Sequence, residues 1–243
     1  MITSPDNPRV KDVLRLRKSR ERRRLGLFIA EGPREVERAR GAGLRIVETY
    51  FAPELLSWDE GEEVTPRVLA KMAYRADPEG VLAVVEIPQR SLPSDPTLIL
   101  VTVGIEKPGN LGAMARTADA AGADALLVAD ANADPWNPNA IRASTGAVFT
   151  LPVVEATKDD VARLPTRKVA AVLGARTSHS AEDYTQPTAF LIGAEDEGLG
   201  AEWQELADAR VEIPMRGAAA DSLNASAAAA VLLFEAVRQR SAT

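Results

Sequence analysis

Two rhythms of apolar and polar residues run along this chain, and they change near residue 97. Beyond that point, short and nearly unbroken apolar runs occupy Leu98–Val103, Ala125–Ala129, Val169–Leu173, Ala189–Ile192 and Arg210–Ile213. Segments of helical character, Leu111–Ala121, Asp159–Arg163 and Glu202–Ala207, separate them. A strand with no polar alternation is one buried on both faces, as in a parallel sheet covered by helices. The pattern predicts an α/β domain with a mostly parallel sheet, whose ligands sit at the carboxyl ends of the strands.

The first 90 residues read differently. Ser4-Pro5 and Asn7-Pro8 precede a basic helix that starts near Arg9 and ends at Gly26. Leu27–Ala30 is a short apolar run, and Glu31-Gly32-Pro33 is a turn with proline placed to open a helix over Arg34–Arg40. Ile46–Phe51 and Val81–Ile87 read as strands, with a helix near Pro66–Tyr74 between them. Three prolines within Pro88–Pro96 mark a linker. The expected division is a domain over 1–93 and a second over 97–243.

The final helix breaks the usual amphipathic rule. Ala225–Val237 carries only Ser226 and Glu235 as polar residues. A helix that is apolar all round is covered all round. A second copy of the chain is the simplest additional cover, so a homodimer is expected; burial within one chain is the alternative.

Charge changes this picture more than composition does. Residues 1–40 hold 12 Lys/Arg against 6 Asp/Glu, while the remainder holds 17 against 29 and the whole chain carries −6. A basic block on an acidic protein suits a polyanion, because contact with phosphates releases condensed counterions. Arg17, Arg20, Arg22, Arg23 and Arg24 are the candidate RNA contacts; a solvated helix face is the plainer reading. The 243 residues include no Cys and one His. Disulfides, thiol nucleophiles and cysteine–zinc sites are thereby excluded, as is any two-histidine metal site. No apolar run reaches a membrane span and the start lacks the apolar stretch of a signal peptide, so a cytoplasmic protein without membrane or metal partners is expected.

Several motifs fail on inspection. Asp130-Ala-Asn132-Ala-Asp134 opens like a calcium loop, but Pro135 and Ile141 stand where Gly and Glu are required. Gly193–Gly198 has phosphate-loop spacing, yet Leu199-Gly200 replaces the Lys-Ser/Thr pair. No G-x-G-x-x-G follows a strand, which argues against a nucleotide-dependent oxidoreductase. His179 lies in a polar stretch with no partner pattern and reads as an exposed loop residue.

Three constellations remain. In VGIEKPGNLGAMARTADAAG, Leu111, Met114, Ala115, Ala118 and Ala121 share one helix face, and Arg116 points away from it, toward a ligand or simply solvent. In AFLIGAEDEGLG a strand enters a glycine loop bearing Glu195, Asp196 and Glu197. Three carboxylates disfavour phosphate and suit a neutral or cationic ligand. In VEIPMRGAAADSLNASAAAA a strand ends at Ile213-Pro214 and Ser222-Leu223-Asn224 leads into the apolar helix; Ser222 can serve there as an N-cap or as a site residue.

In this order and spacing, EKPGNLGAMARTADAAG, LIGAEDEGLG and IPMRGAAADSLNASAAAA resemble the three motifs of the SpoU (TrmH) family of S-adenosyl-L-methionine-dependent RNA ribose 2′-O-methyltransferases, within the SPOUT superfamily. NPNAIRASTGAVFTLPV resembles the family's stretch between the first two motifs. ITSPDNPRVK, FIAEGPREVERA and DPEGVLAVVE resemble a substrate-binding domain of its ribosomal-RNA members. The resemblance implies a deep C-terminal trefoil knot, with S-adenosyl-L-methionine held by backbone around Gly193, Ile213, Met215 and Leu223. It also implies that Arg116 activates the ribose hydroxyl; because a guanidinium is a donor and a poor base, Arg116 is expected to do so by binding the phosphate beside the target ribose and stabilising charge on the 2′ oxygen, while Asn110, Glu195, Ser222 and Asn224 orient the participants. Ribosomal RNA is the expected substrate. Transfer RNA, or a non-catalytic assembly factor with the same fold, are the alternatives.

Overall fold

The computed structural model describes residues 1–130, 132–219 and 221–242. They form two compact units, Met1–Gln89 with Asp134–Phe149, and Arg90–Ala133 with Thr150–Thr243.

In the first unit the basic segment is two helices, not the single one expected. Asn7 caps α1 (Pro8–Arg15) by accepting from Arg9 N at 2.9 Å, with Pro8 at the first turn. The chain then breaks at Leu16–Lys18 before α2 (Ser19–Leu25), which Gly26 ends in the left-handed conformation. Breaking a helix leaves carbonyls without partners. Here Arg22 supplies them, its Nη1 donating to Leu16 O at 2.7 Å and to Arg17 O at 3.0 Å. β1 (Leu27–Glu31), α3 (Pro33–Gly41), β2 (Ile46–Phe51), β3 (Glu62–Glu63), α4 (Pro66–Met72) and β4 (Val81–Glu86) complete the N-terminal part. The sheet order is β1-β4-β2-β3, with β4 antiparallel to both neighbours. Val10, Val13, Leu69, Met72 and Leu82 lie in its core. The segment from the middle of the sequence belongs here too: Trp136 and Phe149 pack on Phe28, with ring centroids 5.0 and 5.6 Å away.

The second unit has the parallel sheet that the unbroken apolar runs predict. Its elements are β5 (Leu98–Val103), α5 (Pro108–Ala120), β6 (Ala125–Ala129), then, after α6 (Pro138–Ser144) of the first unit, β7 (Val153–Ala156), α7 (Lys158–Ala162), β8 (Arg167–Ala171), β9 (Thr177–Ser178), β10 (Thr188–Ile192), α8 (Ala201–Leu206), β11 (Ala209–Glu212) and α9 (Ala225–Ser241). The order is β7-β6-β5-β10-β8-β11-β9, parallel at every step. β5, β6 and β10 are buried along their whole length. Because β11 lies between β8 and β9, the five residues 172–176 step across the end of β11. α9 packs on α5 and β10 through Ala225, Ala229, Leu232, Leu233 and Ala236. Its opposite side is open within one chain, with Phe234 47% exposed.

Candidate functional site

The carboxyl ends of β10, β8 and β11 face a shared cavity of about 330 Å³. Its first wall is the loop after β10. Gly198 N donates to Ala194 O at 2.9 Å, closing the loop on itself, and Gly198 takes the left-handed conformation (φ 65°). Gly193 lies under this closure: a Cβ there would stand 2.2 Å from Gly198 C and O and 2.4 Å from Leu199 N. Glycine is required because the loop crosses its own backbone, a reason internal to the loop that the sequence does not reveal. The other walls are Val172 and Leu173 beyond β8, and Ile213, Met215, Ser222 and Leu223 around the loop after β11. All four residues expected to hold the cofactor, Gly193, Ile213, Met215 and Leu223, line this one space. Leu173, expected at the end of a strand, instead sits on its rim, 62% exposed. Ala220, in the third motif, lies outside the described residues.

The three motifs meet at Glu195. Its Oε1 accepts from Asn110 Nδ2 at 2.6 Å and from Asn224 Nδ2, and its Oε2 accepts from Lys107 Nζ at 2.5 Å. The Lys107 hydrogen bond is the main reason the carboxyl is held below the ordinary glutamate range; partial burial opposes it and the Asn110 contact assists. Asn224 is in turn fixed as the N-cap of α9, its Oδ1 accepting from Ser226 N at 2.9 Å. The cap is therefore Asn224 and not Ser222, which leaves Ser222 exposed on the cavity wall. Behind the loop lies a wider cleft of about 600 Å³, lined by Asn110, Trp203 and the carboxylates of Glu106, Asp130, Glu195, Asp196, Glu197 and Glu202. Lys107 is the one cation among its described lining residues.

Arg116 is on the exposed side of α5, opposite the buried Leu111, Met114, Ala115 and Ala118, as the helical spacing predicts. It lines neither cavity, and among the described residues it has no hydrogen-bond or ion-pair partner. Of the five arginines expected on a basic surface, Arg17, Arg20, Arg23 and Arg24 are exposed. Arg24 reaches Glu21 at 3.0 Å, and Arg17 is anchored on Lys71 O at 2.9 Å. Arg22 requires correction: it is 1% exposed, and its Nε donates to Asp134 Oδ2 at 2.8 Å. A buried guanidinium committed to a carboxylate and two helix-end carbonyls cannot meet a phosphate.

Lys107 was not among the expected site residues. A signal for it exists in the sequence: it directly precedes Pro108, at the amino end of α5. A cation is misplaced at the positive end of a helix unless an anion faces it.

The model of the SpoU rRNA Methylase family matches residues 97–234, and that of the MRM3-like substrate binding domain matches residues 7–83. The chain belongs to the SpoU rRNA methylase family. A 23S rRNA (uridine(2479)-2′-O)-methyltransferase of Streptomyces viridochromogenes is 37% identical over 227 residues, 88% of this chain and 76% of the relative. The 23S rRNA (guanosine(2553)-2′-O)-methyltransferase RlmP of Bacillus subtilis is 30% identical, covering 96% of this chain and 97% of its own. The crystal structure of the SpoU methyltransferase AviRb from S. viridochromogenes in complex with AdoMet superposes with a TM-score of 0.86 at 32% identity, covering 96% of this chain and 98% of that one. The family of α/β SPOUT enzymes with an added N-terminal domain is thus the one the motifs indicate.

Proposed function

We propose that this protein transfers a methyl group from S-adenosyl-L-methionine to a ribose 2′-hydroxyl of ribosomal RNA. The observation that carries the proposal is the Glu195 junction, which ties Asn110, Asn224 and Lys107 together beside a cavity whose chemistry fits the donor. Backbone groups and the side chains of Ile213, Met215, Leu223 and the open Leu173 offer an apolar slot for an adenosine and a thioether, and the acidic 195–197 turn favours a cation. When bound, S-adenosyl-L-methionine supplies an electrophilic methyl on a sulfonium.

The chain's own task is alignment, a source of roughly 7–11 kcal/mol of barrier reduction in well-oriented reactions. Asn110, Asn224 and Glu195 fix one another's geometry, and Ser222 adds a hydroxyl on the same wall. Arg116 binds the phosphate next to the target ribose and stabilises charge growing on the 2′ oxygen. A guanidinium, with five N–H donors and no acceptor, acts here as a donor, not as a base.

Arg116 lies outside the cavity of its own chain, and α9 beside it is open on one side. Both features suit a homodimer in which a second copy covers the apolar side of α9 and brings its own Arg116 to the cavity. The step of residues 172–176 across β11 supports a knot in a C-terminal domain over 97–243, of which the segment Asp134–Phe149 packs as part of the first unit. Residues 1–93 form the RNA-binding domain, with Arg17, Arg20, Arg23 and Arg24 on its basic surface. The relatives methylate uridine and guanosine by name, so the shared element is the ribose, in keeping with a site built around a sugar hydroxyl. Among the described residues no helix is long and apolar enough to cross a membrane and no group of three or more His, Cys, Asp or Glu could hold a metal ion; a cytoplasmic enzyme is the reading that goes with a ribosomal RNA substrate. Labelled methyl from S-adenosyl-L-methionine entering 23S rRNA of a strain lacking the gene is the expected result; no incorporation into that RNA would refute the proposal.

A further inference from the structure

Lys107 presents a puzzle that the reading above leaves unsolved. Glu195 has two oxygens, and Oε1 is already taken by the amides of Asn110 and Asn224. Oε2 is therefore the oxygen with which Glu195 can engage a substrate hydroxyl, and the Lys107 ammonium sits on it at 2.5 Å. If that contact were permanent, the ammonium would occupy one of the two acceptor positions of Oε2 and crowd a ribose hydroxyl that approaches the other.

The contact is built to be exchanged. The Lys107 side chain is 69% exposed, whereas Glu195 is 19% exposed and held by two further donors. A solvent-facing ion pair stabilises little, because water and salt screen it and a long side chain must be immobilised. Lysine is also a point charge with three rotatable donors, suited to moving from one anion to another. The carboxylates of Glu106, Asp130, Asp196, Glu197 and Glu202 repel an RNA phosphate that comes to the Asn110 end of the wider cleft, and among the described lining residues Lys107 is the only cation. The one attractive group for a phosphate there is thus the same group that crowds Oε2.

We propose that Lys107 is a substrate-exchanged positioning residue: the phosphate beside the target nucleotide draws its ammonium away from Glu195, and the freed Oε2 accepts a hydrogen bond from the ribose 2′-hydroxyl. Before RNA arrives, Lys107 holds Glu195 in place and ionised; after it arrives, Lys107 becomes a phosphate contact. The cleft is thereby opened by the molecule that uses it. This inference rests on the RNA methyltransferase reading above.

The experiment compares the wild type with Lys107→Met and Lys107→Arg, using as probe protein-free 23S rRNA extracted from a strain that lacks the gene. Steady-state methyl transfer and the salt dependence of RNA binding are both measured. In Lys107→Met the KM for RNA rises tenfold or more while kcat falls less than threefold, and the slope of log K against log[salt] drops by about 0.7–0.9, the loss of one phosphate contact. Lys107→Arg, which keeps a phosphate-binding cation, restores the slope. A kcat reduced tenfold or more in Lys107→Met, or an unchanged KM and slope, overturns the exchange and leaves Lys107 as a fixed clamp on Glu195. Absence of transfer by the wild type to this RNA would instead count against the methyltransferase reading itself, so the two failures are separable.

Discussion

Replacing Gly193 with alanine tests the architecture of the loop after β10 by adding a single methyl group. The new Cβ would lie 2.2 Å from Gly198 C and O and 2.4 Å from Leu199 N. Favourable carbon contacts begin near about 3.5 Å, so the opposing peptide has to retreat by about 1 Å. No flexible side chain is available to give way, because all three nearest atoms belong to the backbone. Overpacking of this kind costs typically about 1–3 kcal/mol. The strained loop forms a wall of the cavity and carries Glu195, so the cost is expected in donor binding as well as in folding. At about 1.4 kcal/mol per factor of ten, the dissociation constant for S-adenosyl-L-methionine should rise roughly 5- to 150-fold. Titration calorimetry measures that constant, and a thermal melt of the same sample reports the folding share. A Gly193→Ala protein with a dissociation constant within twofold of wild type and an unchanged melting temperature would refute the steric reasoning.

Three other outcomes are expected. Arg22→Ala strands the Asp134 carboxylate in the interior and should destabilise the protein by about 3–5 kcal/mol in chemical denaturation, whereas Arg22→Met combined with Asp134→Leu recovers the buried-charge share and keeps only the loss of the bonds to Leu16 O and Arg17 O; equal losses in both would contradict a buried-charge origin. Arg116→Ala and Glu195→Gln should each be inactive alone, but in a re-equilibrated mixture heterodimers regain roughly a quarter of wild-type transfer if two copies build each site, and nothing if one copy does. Glu235 is pulled down to about 2, chiefly by its hydrogen bonds from Arg238 at 2.6 and 2.8 Å. A carboxyl depressed by folding contributes stability above its unfolded pKa of about 4.3 and loses it as pH falls toward the folded value. The melting-temperature gap between wild type and Glu235→Gln should accordingly be full near neutrality and close between about pH 4.3 and 2; a gap constant across that window would contradict the assignment.

The sheet of the second unit was legible because its central strands bury both faces. Leu98–Val103 and Ala125–Ala129 have no polar residue that faces water, and their boundaries match the observed strands. Val153–Ala156 is only partly buried and Thr177–Ser178 is two residues long, so neither leaves a periodic trace. The middle segment Asp134–Phe149 packs with the N-terminal part through Phe28 and Arg22, contacts more than 100 residues apart that no local pattern encodes. For the same reason Arg22 looked like its basic neighbours: charge shows in a sequence, burial of that charge does not. Within the candidate site, the residues named from the three motifs come together: Gly193, Ile213, Met215 and Leu223 line one cavity, and Asn110 and Asn224 meet at Glu195. Lys107 escaped notice because its role depends on a partner 88 residues away, and the need for glycine at 193 depends on a loop folding back over itself.

The most direct test of the account is transfer of isotope-labelled methyl from S-adenosyl-L-methionine to total RNA of a strain lacking the gene, followed by digestion to nucleosides. The account predicts label in 23S rRNA, attached to a ribose 2′ oxygen, with wild-type protein and none with Arg116→Ala despite donor binding within twofold of normal. Label on a base, label confined to transfer RNA, or full transfer by Arg116→Ala would contradict it.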